Sequence, residues 1–126
     1  MNNEQINYNI NNNIRYNHHE KIDIPAIIKE NKEQWFNQSL TLVNDSVVRL
    51  GIIHGEFHWH KHDTEDEFFY VIDGKLFVDL EDKIIELNQG EGVTVSKGVI
   101  HRTRAPQKTI ILMVEPASVE PTGSKD

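Results

Sequence analysis

Seven short runs of strand-forming residues follow one another after Ser39 with no helical stretch between them, and this spacing limits what the chain can fold into. The runs are Val47 to Ile53, Glu56 to His62, Glu67 to Ile72, Lys75 to Leu80, Lys83 to Leu87, His101 to Ala105 and Thr109 to Val114. Turn-forming residues break them at Asp73-Gly74, Glu81-Asp82, Asn88 to Gly92 and Ser96 to Gly98. Asp73-Gly74 predicts a two-residue hairpin, because a type I′ turn needs positive φ at both central positions. Short strands in sequence, without intervening helices, predict an all-β domain built as an antiparallel barrel or sandwich. With 126 residues and 37% hydrophobic content, one domain is affordable only if every apolar strand contributes to its core. Closing the sheet also removes the unpaired edges that a small β protein can ill tolerate.

The first part of the chain reads differently. Eight of the first seventeen residues are asparagine, so residues 1–20 are expected to form a flexible tail that buries little. His18 and His19 at its end are expected to be solvated. From Ile22 to Trp35 the pattern predicts one short helix, with Pro25 in its first turn and Asp23 or Ile24 preceding it. Ile27, Ile28 and Trp35 would form its apolar stripe. The domain proper is expected over residues 21–116, followed by a polar tail at 117–126.

Charge and composition exclude several functions. Twenty acidic residues against thirteen basic ones give a net charge of −7, which repels a phosphate backbone, and no Lys/Arg run offers an exception. Neither nucleic acid nor a membrane surface is an expected partner. Without cysteine, disulfides, thiolate metal sites and cysteine nucleophiles are ruled out. No signal-peptide pattern precedes the fold, and the longest apolar run, Ile110 to Val114, is too short to cross a bilayer. The expected location is the cytoplasm.

Four of the seven histidines lie close together: His54, His58, His60 and His62. On a strand, His58, His60 and His62 share one side, because alternate residues share a face. Two readings follow. Turned to solvent, they are a polar face over buried Phe57 and Trp59. Turned inward, they meet Glu67, which opens the next strand in phase with apolar Phe69 and Val71. A histidine–histidine–carboxylate set with open positions suits a divalent first-row metal. Spacing alone permits both.

The residues around this cluster resemble the two motifs of the cupins. His60-Lys-His62-Asp-Thr-Glu-Asp-Glu67, followed after six residues by Gly74, resembles the first, HxH(x)4E(x)6G. Gly90, then five residues, then Ser96-Lys-Gly98-Val-Ile-His101 resembles the second, G(x)5PxG(x)2H. Ser96 stands where proline is usual and Ala105 where asparagine is common. The glycine expected six residues before His60 is absent, the nearest being Gly55. The resemblance implies a double-stranded β-helix (jelly-roll) barrel with a short N-terminal helix. It also implies one divalent metal ion (iron, zinc, manganese or nickel) held by His60, His62, Glu67 and His101.

What the resemblance implies about activity is broader. Small cupins include metal-dependent dioxygenases and sugar isomerases, and Gly98-Val-Ile-His101-Arg102 is locally similar to the cupin part of mannose-6-phosphate isomerases. A metal-dependent enzyme on a small molecule is the expected function, and a non-catalytic carrier or sensor is the alternative. His58 is either a second-layer partner of the metal or proton shuttle, or a hydrogen-bonded interior histidine. Asp63, Glu65 and Asp66 are expected to form a solvated loop at the mouth. Arg102 and Arg104, out of phase with His101, are expected on the surface. Phe68, Tyr70 and Ile72 face away from Glu67, so they are expected under the N-terminal segment or in a homodimer interface.

Overall fold

In a computed structural model, which describes residues 6–124, eight strands and one helix follow one another among the described residues. They are β1 (Tyr8–Asn11), α1 (Ile24–Glu30), β2 (Trp35–Val43), β3 (Ser46–Glu56), β4 (Glu67–Asp73), β5 (Lys75–Leu80), β6 (Ile84–Asn88), β7 (Gly92–Val95) and β8 (His101–Pro116). The all-β expectation holds, as does the single short helix. Asp23 caps that helix by accepting from the Ala26 N–H at 3.1 Å, and Pro25 sits in its first turn.

The path through the main sheet runs β1-β2-β3-β8-β4-β7, with β6 and β5 added on β8 away from this path. β8 spans both parts. One of its edges pairs with β3, from Ser46–Pro116 to Glu56–Arg104. The other pairs with β5 over His101 to Arg104 and with β4 over Ile110 to Val114. This single strand therefore rolls the sheet into a barrel, in the jelly-roll manner.

That topology corrects the hairpin expected at Asp73-Gly74. β4 and β5 do not pair with each other; they lie end to end along β8, and Gly74 makes the corner between them. Gly74 has φ +99°, and a Cβ there would fall 2.5 Å from Thr109 Oγ1. Thr109 Oγ1 accepts from the Lys75 N–H at 3.2 Å, which pins the corner to β8. The true hairpin joins β5 to β6 through Glu81-Asp82, the turn with the weaker sequence signal.

Inside the barrel, Phe69, Val71, Leu76, Val78, Ile111 and Met113 are buried in one cluster. The outer face of β2, β3 and β8 carries a second cluster of Leu40, Leu50, Ile52 and Ile110, which Ile27 of α1 covers. Ile72 joins this outer layer, whereas Phe68 and Tyr70 stack at 6.5 Å beside it and stay partly open. Trp35 is not part of the helix. It opens β2 and is buried in the inner cluster.

The asparagine-rich segment also departs from expectation. The loosely held tail is instead partly structural: Tyr8–Asn11 forms a strand parallel to the start of β2. Beyond it, the Arg15 and Tyr16 N–H groups donate to the Ser39 and Leu40 carbonyls at 3.1 and 2.9 Å. Gln38 Nε2 donates to the Asn13 carbonyl at 2.9 Å. The physical reason is that β2 would otherwise be a bare edge, and any extended backbone can satisfy its groups whatever its side chains. Tyr8 adds a side-chain anchor, with edge-on ring contacts to Trp35 at 5.5 Å and Phe57 at 5.4 Å. Met1 to Gln5 of the expected tail lie outside the described residues.

Deleting residues 1–17 is therefore expected to lower the thermal midpoint by more than about 5 °C, the shift that ~1 kcal/mol gives in a domain of this size. An unchanged midpoint in calorimetry would show that β1 contributes nothing to the fold.

Candidate metal centre

His60 and His62 lie between β3 and β4, on a segment expected to be a strand over Glu56 to His62. β3 ends at Glu56, and the only ladder contact beyond it is an isolated bridge between His60 and His101. Their N–H and C=O groups exchange hydrogen bonds of 2.9 Å in both directions. The Phe57 N–H reaches the Thr103 carbonyl at 2.9 Å, and the Gly98 N–H reaches the His62 carbonyl at 2.8 Å. The segment thus lies along the start of β8 with few ties. Gly55, at φ +122°, produces the bulge that breaks the β3–β8 register just before it.

The inward reading of the histidines is realised at His60 and His62, with a change of phase before them, because Phe57 is buried in the inner cluster. Trp59 is exposed and lies beside the Arg102 guanidinium, while His62 and His101 are buried and His60 is half-buried. Glu67 opens β4 facing inward, followed by Phe69 and Val71 on the same side. One ligand atom from each of His60, His62, Glu67 and His101 lies within 4.8 Å of the other three.

The hydrogen bonds prepare these rings as donors. His60 Nδ1 lies 2.9 Å from the His58 carbonyl, and His101 Nδ1 lies 2.9 Å from the Val99 carbonyl. A carbonyl only accepts, so Nδ1 carries the proton in both rings and Nε2 is the atom each ring turns toward the site. His101 Nε2 approaches Glu67 Oε1 at 3.3 Å. His62 Nε2 lies 3.2 Å from the same oxygen, but the alignment makes no hydrogen bond. Both ring nitrogens of this buried histidine therefore lack a hydrogen-bond partner. Such an orphan is costly in a protein interior, and a cation answers it.

Electrostatics agree. Burial, and then the neighbouring His101, push His60 down to about 4, so its ring stays neutral near pH 7. Burial by itself would raise Glu67, but His101, His62 and Glu115 outweigh it and hold the carboxylate well below its usual range. Burial and the adjacent Glu67 charge push Glu115 up to about 9, which favours its protonated form beside the Glu67 carboxylate. Arg49 Nε lies 3.3 Å from Glu115 Oε2. Three nitrogens and one carboxylate oxygen, with the carboxylate steadied from behind, match the donor preferences of a divalent first-row metal.

His60 and Glu67 stand at one wall of a chamber whose other walls include Tyr8, Trp35, Asn37, Phe57, Phe69, Met113 and Pro121. Its free space is about 20 Å³, room for one or two water molecules. The C-terminal residues, expected as a polar tail, close its mouth with Pro121 in the chamber wall. Val119 is buried, and Arg49 Nη2 donates to its carbonyl at 3.5 Å. The Ser124 N–H donates to the Lys61 carbonyl at 2.8 Å, and Gly123 lies against the His60 ring. The tail is ordered because it covers apolar surface and meets main-chain groups that the irregular His58–Asp63 segment leaves unpaired.

His58 is half-buried, and its ring lies 5.3 Å from that of His60. Its ring nitrogen Nε2 bonds to the Thr122 carbonyl at 2.8 Å in the closing strap, and it serves the site through its own main-chain carbonyl. Asp63 and Asp66 are exposed, as expected, whereas Glu65 is half-buried and accepts from the Ser118 hydroxyl at 2.8 Å. Arg102 and Arg104 lie outside the barrel, where both bond Asp79, at 2.8 Å and 2.6 Å. Sequence reasoning missed Tyr8, Asn37, Arg49 and Glu115. Glu115 had a signal: it continues the inward alternation of Ile111 and Met113, so a carboxylate was due in the core. Tyr8 had none.

Residues 48–115 match the sequence profile of the cupin domain family, Cupin_2. Over 96 residues the chain is 41% identical to the uncharacterized protein YdbB of Bacillus subtilis (strain 168), a match covering 75% of this chain and 85% of YdbB. Among solved structures it is similar to a cupin-2 domain containing protein from Shewanella frigidimarina NCIMB 400, at 32% identity and a TM-score of 0.72. That match covers 75% of this chain and 93% of the Shewanella protein. Protein NMB1881 from Neisseria meningitidis shares the fold at 24% identity and a TM-score of 0.69, over 77% of this chain and 99% of NMB1881. The segments that close the chamber, β1 and the C-terminal strap, fall outside residues 48–115.

Gly123 has φ +109°, and a Cβ there would meet the His60 Cβ at 2.8 Å. Replacing Gly123 with Val is expected to lift the strap, speeding hydrogen exchange at the Ser124 amide by about tenfold or more, since local opening sets that rate. Amides within β8 should keep their protection. Unchanged exchange at Ser124 would mean that the strap is not held through this contact.

Proposed function

This chain belongs to the cupin domain family, and on that premise we propose that His60, His62, Glu67 and His101 together hold one divalent transition-metal ion. We infer further that the chain is a metal-dependent enzyme acting on a small molecule beside that ion. The observation that carries the reading is His62, buried with both ring nitrogens unmet among three other inward donors. Iron, zinc, manganese and nickel all suit the set. Once bound, such an ion supplies a Lewis-acidic centre with open positions for a small ligand.

The chain's own residues do the rest. The His58 and Val99 carbonyls fix the tautomers of His60 and His101. Glu67 would offset part of the cation's charge, and its own charge favours the protonated form of the adjacent Glu115. Trp35, Phe57 and Phe69 keep bulk water out. No lysine or arginine lines the chamber among the described residues, so a sugar phosphate would find no counter-charge there. An oxygen-dependent reaction on a small, largely apolar molecule is the finer reading. A carrier or sensor is the second, favoured by the strap that leaves so little free space. No helix among the described residues is long and apolar enough to cross a membrane.

A homodimer formed over the Phe68–Tyr70 face belongs to the same proposal, supported by the 36% exposure of Tyr70 beside the outer apolar cluster. Tyr70→Glu should then shift the chain to monomer in sedimentation velocity. A native chain that sediments as a monomer would end this part of the reading.

His101→Ala is expected to lower bound metal about tenfold or more, since even outer-layer changes cost ~10–100-fold. His54→Ala, at an exposed position, should retain the native metal content. Full metal content in His101→Ala would overturn the ligand set. The iron(II) form should then consume oxygen with at least one compound in a panel of small thiols, diketones and catechols. Tight binding of one metabolite without turnover would favour the carrier reading.

A further inference from the structure

Asn37 stands out among the chamber residues. It faces the barrel interior from β2, where its inward neighbour Trp35 packs in the apolar core. Asn37 is only 1% exposed, and its Oδ1 has no hydrogen-bond partner. The adjacent Gln38 is different, with its amide nitrogen donating to the Asn13 and Ser39 carbonyls. Asn37 Nδ2 makes one long contact, 3.4 Å to the Tyr8 hydroxyl. Among the described residues this is also the only hydrogen bond of that hydroxyl, so its own O–H is free to donate. Rotating the amide by half a turn exchanges the roles and still leaves one amide atom unmet.

Tyr8 and Asn37 line the same chamber as His60 and Glu67. The surface between them is aromatic and aliphatic: Trp35, Phe57, Phe69, Ile53, Ile111 and Met113. With no cationic side chain lining it and Glu67 at its far wall, this end of the chamber rejects an anionic group. Buried polar groups without partners are rare, and in a concave, mostly apolar site they are what fixes a ligand's orientation.

We infer that Tyr8 and Asn37 form an anchor for the far end of the small molecule, selecting a neutral hydroxyl or carboxamide group that donates to Asn37 Oδ1 and accepts from the Tyr8 hydroxyl. The substrate class is then a short, uncharged chain or ring with a metal-binding donor at one end and this group at the other, and its entry must widen a chamber whose free space is about 20 Å³. The inference rests on the metal-centre reading above. It also gives β1 a role beyond stability, because this strand delivers Tyr8 to the chamber.

The test uses the full chain loaded with cobalt(II) and two matched probe series: mercaptoalcohols with two to four carbons, and the alkanethiols of the same lengths. A thiol that coordinates releases its proton to solvent, and the thiolate-to-cobalt absorption band reports binding without any turnover. At one chain length the mercaptoalcohol should bind about fivefold or more tighter than its alkanethiol, the preference one net hydrogen bond confers. In Tyr8→Phe and in Asn37→Leu that preference should fall within about twofold, with alkanethiol affinity kept. Tyr8→Phe removes one oxygen and keeps the ring contacts with Trp35 and Phe57, so it stays informative if Asn37→Leu folds poorly. No hydroxyl preference at any length, its survival in both variants, or no thiol binding at all would overturn the anchor. A water held permanently by the pair gives the first of these results. Failure to take up cobalt would instead strike the metal centre itself.

Discussion

Everything in this protein is registered on β8. Its sixteen residues pair with β3 along one edge and with β5 and then β4 along the other, so two sheet regions share one backbone. The inward parity survives the corner: His101, Thr103 and Ala105 before it, Ile111, Met113 and Glu115 after it, all buried. Because side chains on a strand alternate strictly, a slip of one residue would expel both His101 and Glu115 from the barrel. The corner glycine, Gly74, and Thr109 hold that register where β4 gives way to β5.

A buried polar chain extends from the centre to both ends of the molecule. Glu115 lies beside the Glu67 carboxylate, and Arg49 lies beside Glu115. The same guanidinium reaches Asn12 Oδ1 at 3.3 Å and the Val119 carbonyl at 3.5 Å. One buried arginine thus touches the N-terminal arm, the C-terminal strap and the residue that steadies Glu67. Isolated, each of these buried groups would be a liability; connected, they hold one another in place. The two terminal segments enclose the chamber because this chain gives them something polar to meet there.

Legibility differed by kind of feature. The phase of β4 was readable because Glu67, Phe69 and Val71 alternate cleanly with Phe68, Tyr70 and Ile72, and the outer stripe is partly covered as expected. The helix was readable from Asp23 and Pro25, whose local chemistry starts a helix anywhere. Asp73-Gly74 misled because a dipeptide reports that the chain turns, not which strand it meets afterwards. Trp35 misled because its helical spacing from Ile27 and Ile28 lies within reach of both periods. The asparagine-rich arm misled because strand addition uses the main chain, which composition does not describe.

By itself, the sequence determined the fold class, since alternation and turn residues are local properties, and it pointed to four donors only through the resemblance of two motifs. It could not determine what surrounds them. The assignment of Tyr8, Asn37, Arg49 and Glu115 to one interior, the closure by the C-terminal strap and the outward swing of Trp59 were decided only by the tertiary structure. Those outcomes depend on which unpaired backbone and buried polar groups come to face one another once β8 has rolled the sheet, and that is a property of no single stretch of the chain.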